Sequence, residues 1–214
     1  MTSTLSQKGS IARVSAVVLA AGASARMGRA KQLLPLGRNT VLAQTLENVL
    51  AARVDEMVLV LGASAAAIRQ QLPRSQLERF KVVVNQDYEQ GMATSLRAGL
   101  SALDPRSDAA LFVLGDQPFI RPQTLDQIVE GYGRSRAPIV IPSYQGNRGN
   151  PVLLDRSVFS EVMALEGDIG CRAIFGSHLE DILKVEVEDP GVLLDIDDQG
   201  DYDRLKQIHE RSGQ

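Results

Sequence analysis

The 214-residue chain has one cysteine, Cys171, two histidines, His178 and His209, and no tryptophan, and aromatic residues make up 4% of it. Each shortage removes a class of explanation. A lone cysteine cannot close an internal disulfide, so a reducing, cytoplasmic setting is the expectation. Two histidines are too few for a histidine-rich metal centre. So few rings leave no stacking platform for single-stranded nucleic acid. Charge of one sign is missing as well: 23 Lys and Arg against 26 Asp and Glu give a formal net charge of -3. Duplex nucleic acid normally meets a basic face, so no nucleic-acid partner is expected, although a local cationic pocket for a small anion remains open. No apolar run reaches the ~18 residues of a membrane span, and no membrane partner is expected either.

What is present is patterned. The length suits one α/β domain burying roughly 70% of the surface its unfolded chain would expose. Residues 1–13 are polar and read as a disordered lead-in, and residues 14–214 as a single domain without repeats or a linker. Runs rich in Val, Leu and Ile at 14–19, 57–61, 80–84, 109–114 and 138–142 are continuously apolar, the mark of strands covered on both faces. Amphipathic stretches at 40–53, 63–72, 92–103 and 122–134 alternate with them, the last with Pro122 near its first turn. That alternation predicts a three-layer, doubly wound, mostly parallel sheet. After Ser143 the character changes. A polar, glycine-bearing stretch, 146–150, leads to Val152-Leu153-Leu154, then to expected helices at 157–165 and near 171–175, a strand at 182–187 and a closing helix at 202–211.

Three stretches carry chemistry. Leu19-Ala20-Ala21-Gly22-Ala23-Ser24-Ala25-Arg26-Met27-Gly28, followed by Lys31, ends a strand in small residues and adds two cations. Small residues let backbone N–H groups approach phosphate oxygens, and Arg26 and Lys31 supply charge. It is not a Walker loop, because five residues separate Gly22 from Gly28 and Lys31 follows three later; G-x-G-x-x-G is absent too. Gly115-Asp116-Gln117-Pro118 follows the strand ending at Leu114, where open α/β sheets bind ligands, and a carboxylate there can hold Mg²⁺ against a triphosphate. Asp195 and Asp197, two apart, project from the same side of an extended segment and can offer a further carboxylate to a metal. Each stretch alone is also compatible with an ordinary turn.

Together these motifs resemble the molybdenum cofactor nucleotidyltransferases, the cytidylyltransferase branch most closely, over about residues 14–205. Three more segments are similar to that branch: Gly91-Met92-Ala93-Thr94-Ser95-Leu96-Arg97-Ala98-Gly99, Arg148-Gly149-Asn150-Pro151 and Glu166-Gly167-Asp168-Ile169-Gly170-Cys171-Arg172. The resemblance implies a Rossmann-like nucleotidyltransferase fold. It also implies transfer of a nucleoside monophosphate from an NTP to a phosphate-bearing, pterin-type acceptor, with release of pyrophosphate. In that scheme Lys31, Arg26 and Asp116 are catalytic. Ala20, Ala21, Gly22, Ser24, Gly91, Thr94 and Ser95 bind the nucleotide with them. Asp116 and Asp197 hold Mg²⁺, and Arg148, Asn150, Asp168 and Arg172 meet the acceptor. A molybdoenzyme or its chaperone would receive the product. Ala21, where the guanylyltransferase branch has glycine, favours CTP over GTP. Asn150 in place of the family's histidine, and Asp198-Gln199-Gly200-Asp201 in place of its usual acidic tail, leave the acceptor open. A guanylyltransferase, a transferase with another acceptor, a non-catalytic nucleotide-binding regulator and an NAD(P)-dependent oxidoreductase are the alternatives. Cys171 reads as a packing residue, His209 as a surface residue of the closing helix, and His178 as a loop residue without partners for a metal role.

Overall fold

The structure, a computed structural model, describes residues 12–24 and 27–212. Residues 1–11 of the expected lead-in lie outside the described residues. Arg13, placed in that lead-in by sequence, is tied to the sheet: its N–H donates to Asp108 Oδ2 at 2.9 Å.

Among the described residues, seven strands run side by side. In chain order they are β1 (Val14–Ala20), β4 (Glu56–Leu61), β5 (Lys81–Val84), β6 (Ala109–Leu114), β7 (Ile139–Tyr144), β9 (Val152–Asp155) and β10 (Ile182–Glu186). A short β8 (Asn147–Arg148) pairs with β7, and β2 (Pro35–Leu36) pairs with β3 (Asn39–Thr40) as a separate ribbon. The spatial order is β10-β7-β9-β6-β1-β4-β5. All neighbours are parallel except β9, which runs antiparallel to β6 and β7.

Alternation along the strands sends successive side chains to two cores. Ala16 and Val18 of β1 pack on one face with α1 (Val41–Leu50), α2 (Ala65–Gln71) and α5 (Pro122–Ser135), through Leu46, Ile68 and Ile128. Val17 faces the other way, toward Leu96 and Leu100 of α4 (Met92–Ser101) and Val162 of α6 (Phe159–Met163). The three-layer, doubly wound arrangement expected from the alternating runs is therefore present. A third cluster joins Leu34, Leu36 and Val41 to Ile196 and, from α7 (Gln199–Ser212), to Tyr202 and Leu205.

The departures lie mostly after Ser143. Gln145 and Gly146, both with positive φ (50° and 78°), turn β7 back into β8, as a two-residue hairpin requires. Val152-Leu153-Leu154 is the antiparallel strand β9, inserted between β6 and β7. The helix expected over 157–165 is a 3-10 turn, Arg156–Val158, followed by the five-residue α6. The helix expected near 171–175 is 3-10 throughout, Cys171–Ser177, bracketed by Gly170 and ending beyond Gly176. A four-residue helix, α3 (Arg74–Leu77), lies between α2 and β5.

Candidate active site

β1 and β6 are adjacent and parallel, with Leu19 opposite Leu114. From β1 the chain winds outward through β4 and β5, then crosses back through α4 to β6, so the winding reverses between these two strands. Beyond their carboxyl ends lies a cleft of about 850 Å³, at the position such a reversal predicts for a ligand site. Its walls include Ala21, Gly22, Ser24, Lys31 and Gln32 from the first loop, and Gly115 and Asp116 after β6. Gly91, Met92, Ser95 and Asp168 face them, with Asp195 and Asp197 from the late segment.

The first loop is shaped by a buried amide. Gln32 donates to the Gly22 carbonyl at 3.2 Å and accepts from the Ser24 hydroxyl at 3.3 Å. The same hydroxyl accepts the Lys31 N–H at 3.1 Å, with Ser24 held at a left-handed φ of 54°. Lys31, on the 3-10 turn Lys31–Leu33, thereby reaches the carboxylates. Its ammonium lies 2.5 Å from Asp116 Oδ2 and 3.4 Å from Asp197 Oδ1. Burial works against the ammonium, but the charges and hydrogen bonds of Asp116 and then Asp197 outweigh it and raise its pKa above the ordinary lysine value. Asp195 lies half-buried beside them. Burial first, then the charges of Asp197 and Asp116, raise its pKa.

The opposite wall is set by backbone. Gly91 has φ 105°, and a Cβ there would stand 2.3 Å from the Gly167 carbonyl carbon, so only glycine lets the two loops touch. Asp168 Oδ1 accepts the Met92 N–H at 3.1 Å at the start of α4, and the Gly167 carbonyl accepts the Ala93 N–H at 3.2 Å.

The expected site residues divide accordingly. The structure brings Ala21, Gly22, Ser24, Lys31, Gly91, Ser95, Asp116, Asp168 and Asp197 to one cleft. Arg26 lies outside the described residues. Five others are not on the cleft wall. Ala20 is 2% exposed, and its Cβ faces Gly115. Thr94 is buried; its hydroxyl has the Gly91 and Asp87 carbonyls within reach of its one proton and accepts from Asn85. Arg148 lies over the Phe175 ring at 5.7 Å. Asn150 donates its N–H to the Val192 carbonyl at 2.9 Å. Arg172 is exposed on the 3-10 segment. Sequence reasoning missed Gln32, although its place directly after Lys31 was a signal. It raised Asp195 but gave the metal role to Asp116 and Asp197.

Among the described residues no three carboxylate, histidine or cysteine side chains form a ready ligand set for a metal. The donors nevertheless suit a hard divalent cation, being carboxylate oxygens, and Asp116 Oδ1 is buried without a hydrogen-bond partner.

Among its described residues the cleft wall offers no histidine or cysteine to act as nucleophile or base. It can surround and orient a polyphosphate, as nucleotidyl transfer requires. The chain belongs to the family described as the MobA-like NTP transferase domain, whose model matches residues 16–182. It is 32% identical over 197 residues to the nicotine blue oxidoreductase of Paenarthrobacter nicotinovorans, covering 87% of this chain and 94% of that one. It is 24% identical to the molybdenum cofactor cytidylyltransferase of Escherichia coli K12, over 91% of this chain and 96% of the relative. Among solved structures it is similar to Rv0371c of Mycobacterium tuberculosis H37Rv, with 37% identity, a TM-score of 0.83, and coverage of 92% and 98% of the two chains. That protein has also been solved as a complex with manganese. The family's description names NTP transfer as its work. No helix among the described residues is long and apolar enough to cross a membrane.

Proposed function

We propose that the protein transfers CMP from CTP to a phosphate-bearing acceptor of the molybdenum-pterin type and releases pyrophosphate. The observation that supports this most directly is the Lys31 ammonium set between Asp116 and Asp197 at the mouth of the β1 loop. An acceptor phosphate is already ionised near neutral pH. One of its oxygens forms the new bond to the α-phosphorus while the bond from that phosphorus to the α,β-bridging oxygen breaks. The electron pair leaves with pyrophosphate, and no proton has to be removed. Positioning and charge neutralisation then carry the catalysis.

Lys31 neutralises the triphosphate, and Arg26 belongs to the same loop. The N–H groups around Gly22 to Ser24 cradle the phosphates, with Gln32 holding the loop's curvature. Asp116 and Asp197, with Asp195 beside them, would hold Mg²⁺, which when bound supplies positive charge at the reacting phosphates. Ala21, Gly91 and Ser95 enclose the base, and Asp168 with Met92 forms the acceptor's side of the cleft.

The 32% identity to a relative named as an oxidoreductase favours one second reading, hydride transfer from a nicotinamide cofactor. The two readings separate in a single assay series. CTP, GTP or ATP is mixed with Mg²⁺ and the phosphorylated pterin, and pyrophosphate is measured; NADH or NADPH oxidation is followed in parallel with quinonoid dyes. The transferase reading expects pyrophosphate with CTP, lost in Asp116→Ala while the fold survives. Nicotinamide oxidation without pyrophosphate would overturn it. Binding of CTP with neither reaction would indicate a regulator.

A further inference from the structure

Asp189 stands outside the cleft wall and is 3% exposed, a buried carboxylate for which the transfer reaction has no direct use. Its oxygens join two segments far apart in the chain. Oδ2 accepts the Arg121 N–H at 2.9 Å and the Thr124 hydroxyl at 2.6 Å, at the start of α5. Oδ1 accepts the Gly191 N–H at 3.0 Å, opening the 3-10 turn Pro190–Leu193. Arg121 provides no side-chain cap for α5, and Asp189 instead ties down the start of that helix from elsewhere in the chain, through the Arg121 N–H and the Thr124 side chain.

The same short turn is held again further along. The Val192 carbonyl accepts the Asn150 N–H at 2.9 Å, and a Cβ at Gly149 would stand 2.4 Å from that carbonyl oxygen. Ile196 is fully buried in the third cluster, and the Asp197 N–H donates to Asp201 Oδ2 at 3.2 Å. Residues 189–197 therefore form a strap fixed at Asp189, Val192 and Ile196. The carboxylates on either side of Ile196, Asp195 and Asp197, are the two it delivers to the cleft.

We propose that Asp189 is a positioning residue: it sets the register at which Asp195 and Asp197 reach the cleft. The Gly149–Asn150 backbone braces the same strap, which gives that segment a role distant from acceptor contact. The inference rests on reading Asp116 and Asp197 as holders of the divalent cation. An amide at 189 has one acceptor oxygen in place of two, so Asp189→Asn releases either the α5 end or the Gly191 end of the strap. Thr124→Val removes one donor and leaves the other two.

The test uses Mn²⁺ as probe, with free Mn²⁺ followed by electron paramagnetic resonance in the presence of CTP. CTP binding without metal is measured alongside, at a temperature where circular dichroism shows each variant folded. Asp189→Asn should weaken Mn²⁺ binding by about 10–100-fold, the range seen when the support of a metal ligand is lost, and Thr124→Val by less. Metal-free CTP binding should stay within about twofold for both, because the β1 loop does not touch the strap's anchor. Folded variants that lose thermal stability yet bind Mn²⁺ as tightly as the parent would overturn the positioning role, and Thr124→Val decides alone if Asp189→Asn does not fold. If instead Asp116→Asn leaves Mn²⁺ binding unchanged, the metal reading itself fails, and this inference with it.

Discussion

At the amino ends of the strands the buried Ser15 hydroxyl donates to Glu56 Oε2 at 2.9 Å and lies 2.6 Å from the Ser107 hydroxyl. At the carboxyl ends Asp116 keeps a buried oxygen without a partner. The contrast extends to two half-buried aspartates. Burial alone would raise the pKa of Asp155, at the amino end of the sheet, but hydrogen bonds from Ser157 and Tyr132 hold it below its ordinary value. Asp195 has no such set of donors, and its pKa is raised. Arg13 Nε, buried and unpartnered, is the exception at the amino end. One end of the sheet thus spends its polar groups on holding the fold. The other gathers Lys31, Asp116, Asp195 and Asp197 at a cleft and leaves one buried carboxylate oxygen open, as expected where local rules yield to function.

The largest expected effect comes from breaking the ligand-ready end. On the proposed reading, Lys31→Met removes the cation that would face the triphosphate and should lower pyrophosphate release by about a hundredfold or more. The same ammonium neutralises Asp116 and Asp197 while no nucleotide is bound. The variant should therefore bind Mn²⁺ more tightly than the parent in the absence of CTP, as read by calorimetry. Equal Mn²⁺ affinity in the two proteins would mean that Lys31 does not act as the carboxylates' resident counter-charge.

The second effect belongs to the amino end and should reverse the pattern. Tyr132 is fully buried, its hydroxyl donates to Asp155 Oδ2 at 2.5 Å, and burial followed by that bond raises its pKa to about 12. Tyr132→Phe leaves the ring in place and deletes one hydrogen bond to a carboxylate. It should remove about 1.5–3 kcal/mol of stability, several degrees of melting temperature, with pyrophosphate release at 25 °C unchanged. A turnover defect as large as the stability loss would mean that the two ends are coupled.

This division also explains what could be read from the chain before folding. Gly22, Ser24, Lys31 and Asp116 were legible because their chemistry is local: a strand, its carboxyl end, then small or charged residues. Gly91 and Asp168 were legible only as motifs, and their contact with each other is a product of the fold. Arg148 and Arg172 looked like anion ligands because they neighbour glycines, yet direction is a tertiary property, and neither is on the cleft wall. Val152-Leu153-Leu154 was visible as an apolar run, but its antiparallel insertion between β6 and β7 is decided by pairing with residues 40–44 positions earlier as well as with nearer ones. Asp189 carried no signal, since the groups it joins, Arg121 and Thr124, lie 68 and 65 positions away.

The smallest effect tests the comparison by its sign. Asp195 has a folded-state pKa above its ordinary 3.8, so the folded protein holds its proton more tightly than the unfolded chain does. Stability from this group is present below that value and is lost as pH rises through the folded-state pKa, leaving a penalty at neutral pH. Asp195→Asn removes the penalty. At pH 7 and low salt, without metal, the variant should melt roughly 1–2 °C above the parent, a small gain because the group is only half-buried and solvent screens its neighbours. The gain should shrink as pH falls toward 4, where the parent carboxyl is increasingly protonated in both states. Saturating Mg²⁺ and CTP should cancel or reverse it, because a bound cation turns the repulsion among Asp195, Asp197 and Asp116 into attraction, while turnover falls in the variant. A variant that melts lower than the parent at pH 7 without ligand would show that Asp195 supports the fold as Asp155 does, and the contrast between the two ends would not hold at this residue.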